Sequence, residues 1–178
     1  AFKLTRNYMN IELHTFKGLP DYLQKQYASE IAAETQSKFE AEQKIVPIEP
    51  EAVLQREIGL VAVHNNVLVG YVGATKLNDT HTQIGTLLVS EQNQGSGIGA
   101  MLVSDITERV TKDGLQPYAF CNPNSQSSFE KAGYVPALPG ELPAEAQSHF
   151  NNQPMIYPRQ TIIYSLRAAR NSMALVGQ

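Results

Sequence analysis

The sequence predicts an α/β fold, on three observations. Residues 82–111, TQIGTLLVSEQNQGSGIGAMLVSDITERVT, read as a strand, a glycine-rich turn and an amphipathic helix. Leu60 to Val72 holds two apolar, β-branched runs around Asn65-Asn66, the pattern of a hairpin whose turn residues tolerate positive φ. Strand-like and helix-like periods follow one another along the chain in the order β–α–α–β–β–β–α–β–α–β.

Taken in order, Ile11 to Phe16 alternates as a first strand. Gly18-Leu19-Pro20-Asp21 ends it and opens a helix, with Pro in a first turn whose N–H groups have no helical partner. Leu23, Tyr27, Ile31 and Phe39 give that helix an apolar stripe over a Glu/Lys/Gln-rich back. Pro47 and Pro50 interrupt, and Glu51 to Arg56 adds one or two helical turns. After the hairpin, Asn78-Asp79 turns the chain into the strand 82–89. From Ile98, the spacing of Met101, Leu102, Ile106 and Val110 is helical, and Asp113-Gly114 stops the helix with a left-handed cap. Pro117 to Cys121 is a short strand, and a short helix follows. Residues 135–160 hold five of the ten prolines and read as a loop, with one helical turn near 145–150. Thr161 to Leu166 is a last strand, and 167–178 a helical or disordered tail. No internal repeat or low-complexity tract appears, so 1–178 reads as a single domain.

Composition narrows the function classes. With 42% hydrophobic and 17% charged residues over 178 positions, the chain suits one globular domain with a sizeable core. No apolar run approaches the roughly 20 residues of a membrane helix, and no secretory leader is evident, so a cytoplasmic protein is expected. A single cysteine, Cys121, excludes an internal disulfide framework and suits a reducing compartment. The net charge of −3 gives no basic footprint for nucleic acid and weakly suits a cationic amine. His14, His64, His81 and His149 show no metal-ligand spacing, and no metal is expected.

The glycine loop is where the chemistry points. Gly95, Gly97 and Gly99 carry no Cβ to hold a ligand away from backbone N–H groups, and the loop feeds a helix N-terminus whose dipole favours anions. The plain alternative is a tight turn. A P-loop needs Lys-Ser/Thr after its last glycine, whereas Gly99 is followed by Ala100-Met101. The dinucleotide fingerprint needs GxGxxG and an acidic residue ending the second strand, whereas this loop is GxGxG and the next strand runs into Asn122.

Leu87-Leu88-Val89 followed by Gln94-Gly95-Ser96-Gly97-Ile98-Gly99 resembles the acetyl-coenzyme A segment of the GNAT N-acetyltransferase superfamily. A second segment lies at the family's distance: a strand, Asn122, then Ser125 to Tyr134 ending Phe129-Glu130-Lys131-Ala132-Gly133-Tyr134. The resemblance is centred on 58–135, with 161–166 as the family's last strand. It implies a mixed, mainly antiparallel sheet flanked by helices and split at its centre to bind acetyl-coenzyme A. It also implies acetyl transfer to a primary amine by direct attack, with the first helical pair walling the acceptor site. The acceptor would be a small-molecule or peptide amine, and a homodimer would be in keeping with the family.

By the same resemblance, the N–H groups of Gly95, Ser96, Gly97, Ile98, Gly99 and Ala100 surround the pyrophosphate, and Gln94 opens this cofactor-binding segment. The backbones of Leu87, Leu88 and Val89 meet the pantetheine arm and polarise the thioester carbonyl. Asn122, Ser125 and Phe129 border the same arm, although Asn122 can equally cap the helix after it. Two positions depart from the family. Phe129 stands where a Tyr often protonates the leaving thiolate, and Gln83 where a carboxylate often serves as base; neither can carry a proton. His81, His64, Glu57 and Tyr118 remain as candidate bases, with His81 and Tyr118 put forward, and Ser128 and Tyr134 as nearby hydroxyls. Cys121 reads as a core thiol. Two other readings stay open: an acyl-coenzyme A binding or sensor protein with weak or lost catalysis, and an unrelated nucleotide-phosphate binder.

Overall fold

The computed structural model describes residues 2–6, 9–43, 45–148 and 150–158. The elements are β1 (Phe2–Arg6), β2 (Met9–Thr15), α1 (Asp21–Glu42), α2 (Pro50–Gln55), β3 (Ile58–His64), β4 (Val67–Lys76), β5 (His81–Val89), α3 (Ile98–Lys112), β6 (Gln116–Cys121), α4 (Gln126–Lys131), β7 (Val135–Pro136) and β8 (Gln153–Ile156). They form one sheet in the order β1-β2-β3-β4-β5-β6-β8-β7. Every neighbouring pair is antiparallel except β5 with β6. A parallel pair needs a crossover, and α3 supplies it. The sheet is thus mixed and mainly antiparallel, as the resemblance implies.

Side-chain alternation divides the core between the two faces. On β3, Leu60 and Ala62 join the cluster formed with Leu102, Val103, Ile106 and Val110 of α3, while Val61 and Val63 join Tyr27, Ala28 and Ile31 of α1. Both faces of this central strand are covered, so its residues read as a continuous apolar run. The Asn65-Asn66 hairpin has φ of 48° and 63°, the left-handed pair that a type I′ turn needs. α1 ends on Gln43, at φ 52°, whose N–H bonds Phe39 O at 2.8 Å. Beyond it, Thr35 of α1 accepts the Ile48 N–H at 3.1 Å, tying the 45–48 stretch to the helix.

The structure corrects the sequence reading at both ends. A strand precedes the expected first one: β1 pairs with β2 from Phe2↔Leu13 to Arg6↔Met9. The proline-rich 135–160 stretch is not a loop with a helical turn; it contains β7 and β8, and β8 pairs with β6. Pro154 hides this strand from propensity, since it cannot donate to the ladder, yet its carbonyl still accepts the Ala137 N–H at 2.9 Å. The expected strand 161–166 and the tail 167–178 lie outside the described residues. Among the described residues no helix is long and apolar enough to cross a membrane.

Candidate active site

The sheet opens between its two parallel strands. β5 and β6 are in register only at His81↔Gln116, Thr82↔Pro117 and Gln83↔Tyr118. β5 then continues to Val89 and β6 to Cys121 without pairing, which leaves a cleft between them. A bulge in β5 sits at the start of the divergence: between the pairs Tyr71↔Leu88 and Gly73↔Gly85, β4 has one residue and β5 has Thr86 and Leu87. Thr86 takes φ 56°, a conformation that β-branched residues rarely adopt.

The bulge decides which backbone groups face the cleft. Ser90 donates its N–H to Val69 O at 2.9 Å, so Ser90 and, by alternation, Leu88 turn their backbones toward β4. The N–H and C=O of Leu87 and Val89 turn the other way, into the gap. Gln94 reaches back across the loop, its Nε2 donating to Val89 O at 3.4 Å. The side chains of Leu87 and Val89 pack on the α3 core, and that of Leu88 is buried on the α1 side.

Past Val89, the glycine loop delivers α3. Gly95 (φ 79°) and Gly97 (φ 88°) are both left-handed, and Gly97 is the helix N-cap with no side chain to cap it. The first intrahelical bond is Met101 N–H to Gly97 O at 3.1 Å, so the N–H groups of Ile98, Gly99 and Ala100 are the open donors of the helix start. The Ser96 N–H is already engaged by Asn93 O at 3.3 Å. A Cβ on Gly95 would meet nothing within 4 Å, so its exposed side is open to a ligand. A Cβ on Gly99 would come 2.5 Å from Ser128 Oγ; the bare glycine lets α3 and α4 close on each other.

The cleft itself is lined by Ile45 and Val46 after α1, Arg56 after α2, Thr75 on β4, Gln83 to Leu87 on β5, Phe120 and Asn122 around the end of β6, Ser125, Phe129 and Asn152. It thus borders both helical layers at the split. Among the described residues Arg56 is the one ionisable side chain that lines it. Asn122 does cap the turn into α4: its Oδ1 accepts the N–H groups of Asn124 at 2.9 Å and Ser125 at 3.0 Å. Its Nδ2 has no partner among the described residues. Phe129 is buried at the cleft wall, edge-on to Tyr134 at 5.1 Å between ring centroids.

The remaining candidates fall elsewhere. Tyr134 is buried behind Phe129 with its hydroxyl on Thr107 Oγ1 at 2.7 Å, and burial pushes its pKa up, so its proton is held in the core. Burial also pushes the Cys121 thiol up to about 12, which keeps it protonated and unreactive at neutral pH. His64 sits on the β3–β4 hairpin, Nδ1 3.2 Å from Asn10 O. Glu57 borders a separate groove with Asp105, Glu108 and Arg109 of α3. His81 and Tyr118 are close to each other, with ring centroids 6.3 Å apart, on the paired stem of β5 and β6 and off the cleft lining. Nδ1 of His81 is 2.7 Å from Thr80 Oγ1. The Tyr118 hydroxyl is buried with no hydrogen-bond partner among the described residues, and burial first, then the Glu145 charge, raises its pKa. No cluster of potential metal ligands occurs among the described residues.

Two features escaped the sequence reading. Arg56 is one cation at the end of a two-turn helix, brought to the cleft only by tertiary folding. The bulge left a faint trace, since Gly85 inside a strand pattern is a recognised bulge signal.

The family model described as Acetyltransferase (GNAT) family matches residues 21–134. Among solved structures, N-acetylglutamate synthase from Neisseria gonorrhoeae, complexed with coenzyme A and N-acetyl-glutamate, superposes with a TM-score of 0.63 at 18% identity, over 84% of this chain and 35% of that one. Escherichia coli ElaA gives 0.61 at 19% identity, over 83% and 99% of the two chains. An aminoglycoside 6′-N-acetyltransferase complexed with coenzyme A gives 0.55 at 20% identity, over 82% and 93%. The chain therefore spans about a third of the synthase and nearly all of the other two. No curated protein matches the sequence.

Proposed function

The chain belongs to the acetyltransferase (GNAT) family, and from that premise we propose that it transfers an acetyl group from acetyl-coenzyme A directly to a primary amine. The observation that carries this reading is the continuity of the glycine-loop donors with the β5–β6 split. The N–H groups of Ile98, Gly99 and Ala100 would hold the pyrophosphate, as the open space over Gly95 allows. The Leu87 and Val89 backbones would pair with the extended pantetheine arm, and Asn122, Ser125 and Phe129 would border it. When bound, acetyl-coenzyme A supplies an activated thioester. An N–H fixed in the gap is a preorganised dipole for a carbonyl oxygen gaining negative charge.

Acceptor chemistry sets two demands on the chain. The amine must reach the cleft without its extra proton, and the departing thiolate must be tolerated. Among the described residues the lining holds amides and hydroxyls but no carboxylate or imidazole, so proton removal runs through water, either to bulk or toward the His81 and Tyr118 stem. Phe129 gives the thiolate no proton, and the low basicity of a thiolate lets solvent provide one. The coenzyme A complexes among the structural neighbours, one acting on an aminoglycoside and one holding an N-acetylated amino acid, support an amine acceptor.

Thiol release from acetyl-coenzyme A, followed over a panel of amines, tests the proposal. Amine-dependent release is expected. The missing base in the lining favours one second reading, an acyl-coenzyme A binding protein with weak or lost catalysis. That reading requires acetyl-coenzyme A binding with no release on any amine.

A further inference from the structure

On the reading that acetyl transfer occurs in this cleft, we propose that Arg56 selects acceptors that carry a carboxylate as well as the amine. Arg56 follows α2 directly and is part-buried at the cleft. Its Nη2 donates to Thr86 Oγ1 at 2.7 Å and its Nη1 approaches Tyr71 OH at 3.5 Å, with the guanidinium carbon 5.9 Å from the Tyr71 ring centroid. Every one of these partners is neutral. Among the described residues no carboxylate lies within ion-pair distance of it.

The fold makes room for this group. Gly73, on the facing strand, has no Cβ; one built there would come 2.0 Å from Nη1 and 2.8 Å from Cδ of Arg56. Thr86, the hydroxyl that holds Nη2, occupies the left-handed bulge. Residues far apart in sequence thus seat a guanidinium on neutral groups and leave donors of its five-donor fork uncommitted. A part-buried cation without a counter-charge is unfavourable, and a ligand anion removes that penalty. The planar fork matches a carboxylate in two-point contact. The amides of Gln83 and Asn152 and the hydroxyl of Thr75 line the same cleft and suit the carboxylate's remaining lone pairs. A guanidinium that merely clamps the bulge would influence all acceptors alike; one that reads a carboxylate separates charged acceptors from neutral ones.

The experiment compares matched pairs on the unmodified protein: L-leucine with L-leucinamide, and 4-aminobutyrate with 4-aminobutanamide, by thiol release, with acetyl-coenzyme A affinity measured in parallel. At least one carboxylate is expected to exceed its amide by roughly tenfold in kcat/KM. The α-pair and the distal pair identify which spacing fits. Leucinamide has the less basic amine, so amine ionisation works against this result. Arg56→Gln should raise KM for the preferred carboxylate by roughly 10- to 100-fold more than for its amide, with Arg56→Lys intermediate. Equal kcat/KM within both pairs overturns the proposal, as does equal loss across carboxylates and amides in Arg56→Gln. Turnover of other amines with neither carboxylate accepted overturns it too. Failure to bind acetyl-coenzyme A overturns the transfer reading itself and the proposal with it.

Discussion

Gln83 on β5 and Tyr118 on β6 are the last residues that hold the parallel strands together, and the candidate site begins where their pairing ends. Below them the stem runs back to the pair of His81 with Gln116; above them Leu87 and Val89 turn backbone groups into open space. Gln83 lines the cleft at the point where the family often has a carboxylate, and brings an amide instead.

The loop above the stem depends on left-handed backbone. Gly97 caps α3 at φ 88°, and a Cβ there adds about 1–2 kcal/mol of strain to the turn that presents the open donors. Gly97→Ala should therefore weaken acetyl-coenzyme A binding by about tenfold, an effect of about 1.4 kcal/mol, with a small loss of stability. Titration calorimetry measures the first and thermal unfolding the second. Unchanged affinity would mean that the coenzyme does not contact this turn.

Gly73→Ala should act on Arg56 at a distance in sequence. The new Cβ overlaps the guanidinium and lies 2.8 Å from Tyr71 OH, so the side chain must leave its seat. A stability loss of about 1–3 kcal/mol is expected. The variant's acceptor profile should match that of Arg56→Gln, which a matched-pair assay of both proteins checks.

The local pattern made the central part of this site legible before the fold was known. Strand, glycine loop and helix are contiguous, and each is signalled by residues within one or two turns of itself: Leu87 to Val89, Gly95 to Gly99, and the Ile98–Val110 spacing. The hairpin at Asn65-Asn66 was legible for the same reason. What escaped depends on partners distant in sequence. β8 is a strand because β6 offers its edge to Gln153–Ile156, against the preference of Pro154. Arg56 belongs to the cleft because Thr86 and Gly73 converge on it from β5 and β4. The Gln83 departure was visible as an identity, and its consequence only once the described lining contained no other base.

Tyr134 separates a structural hydroxyl from a chemical one. Its bond to Thr107 is fully enclosed, so Tyr134→Phe should lose about 1–2 kcal/mol of stability in denaturant unfolding. Because Phe129 forms the cleft wall in front of it, kcat of the folded variant should match the parent. A large fall in kcat would place that hydroxyl in the proton path.

The buried thiol fixes a sign for the alkaline limb of stability. Cys121 has its pKa raised from 9.0 to about 12 in the fold, so between those values the unfolded chain has released a proton that the native chain keeps. Stability from this group is therefore complete below pH 9.0 and declines as pH rises toward about 12, by up to about 1.4 kcal/mol per pH unit. Denaturant unfolding between pH 8 and 11 should show a steeper fall for the parent than for Cys121→Ala. Parallel curves would contradict the assigned burial effect.

Thermal unfolding with acetyl-coenzyme A, against NADH and ATP, decides whether the glycine loop and the β5–β6 split hold the coenzyme. At one hundred times its dissociation constant a ligand stabilises the native state by about 2.7 kcal/mol, a rise of several degrees for a chain of this length. That rise is expected with acetyl-coenzyme A, with a marked reduction in Gly97→Ala and none with the two nucleotides. A flat curve with acetyl-coenzyme A and coenzyme A, or an equal rise with ATP, would contradict it.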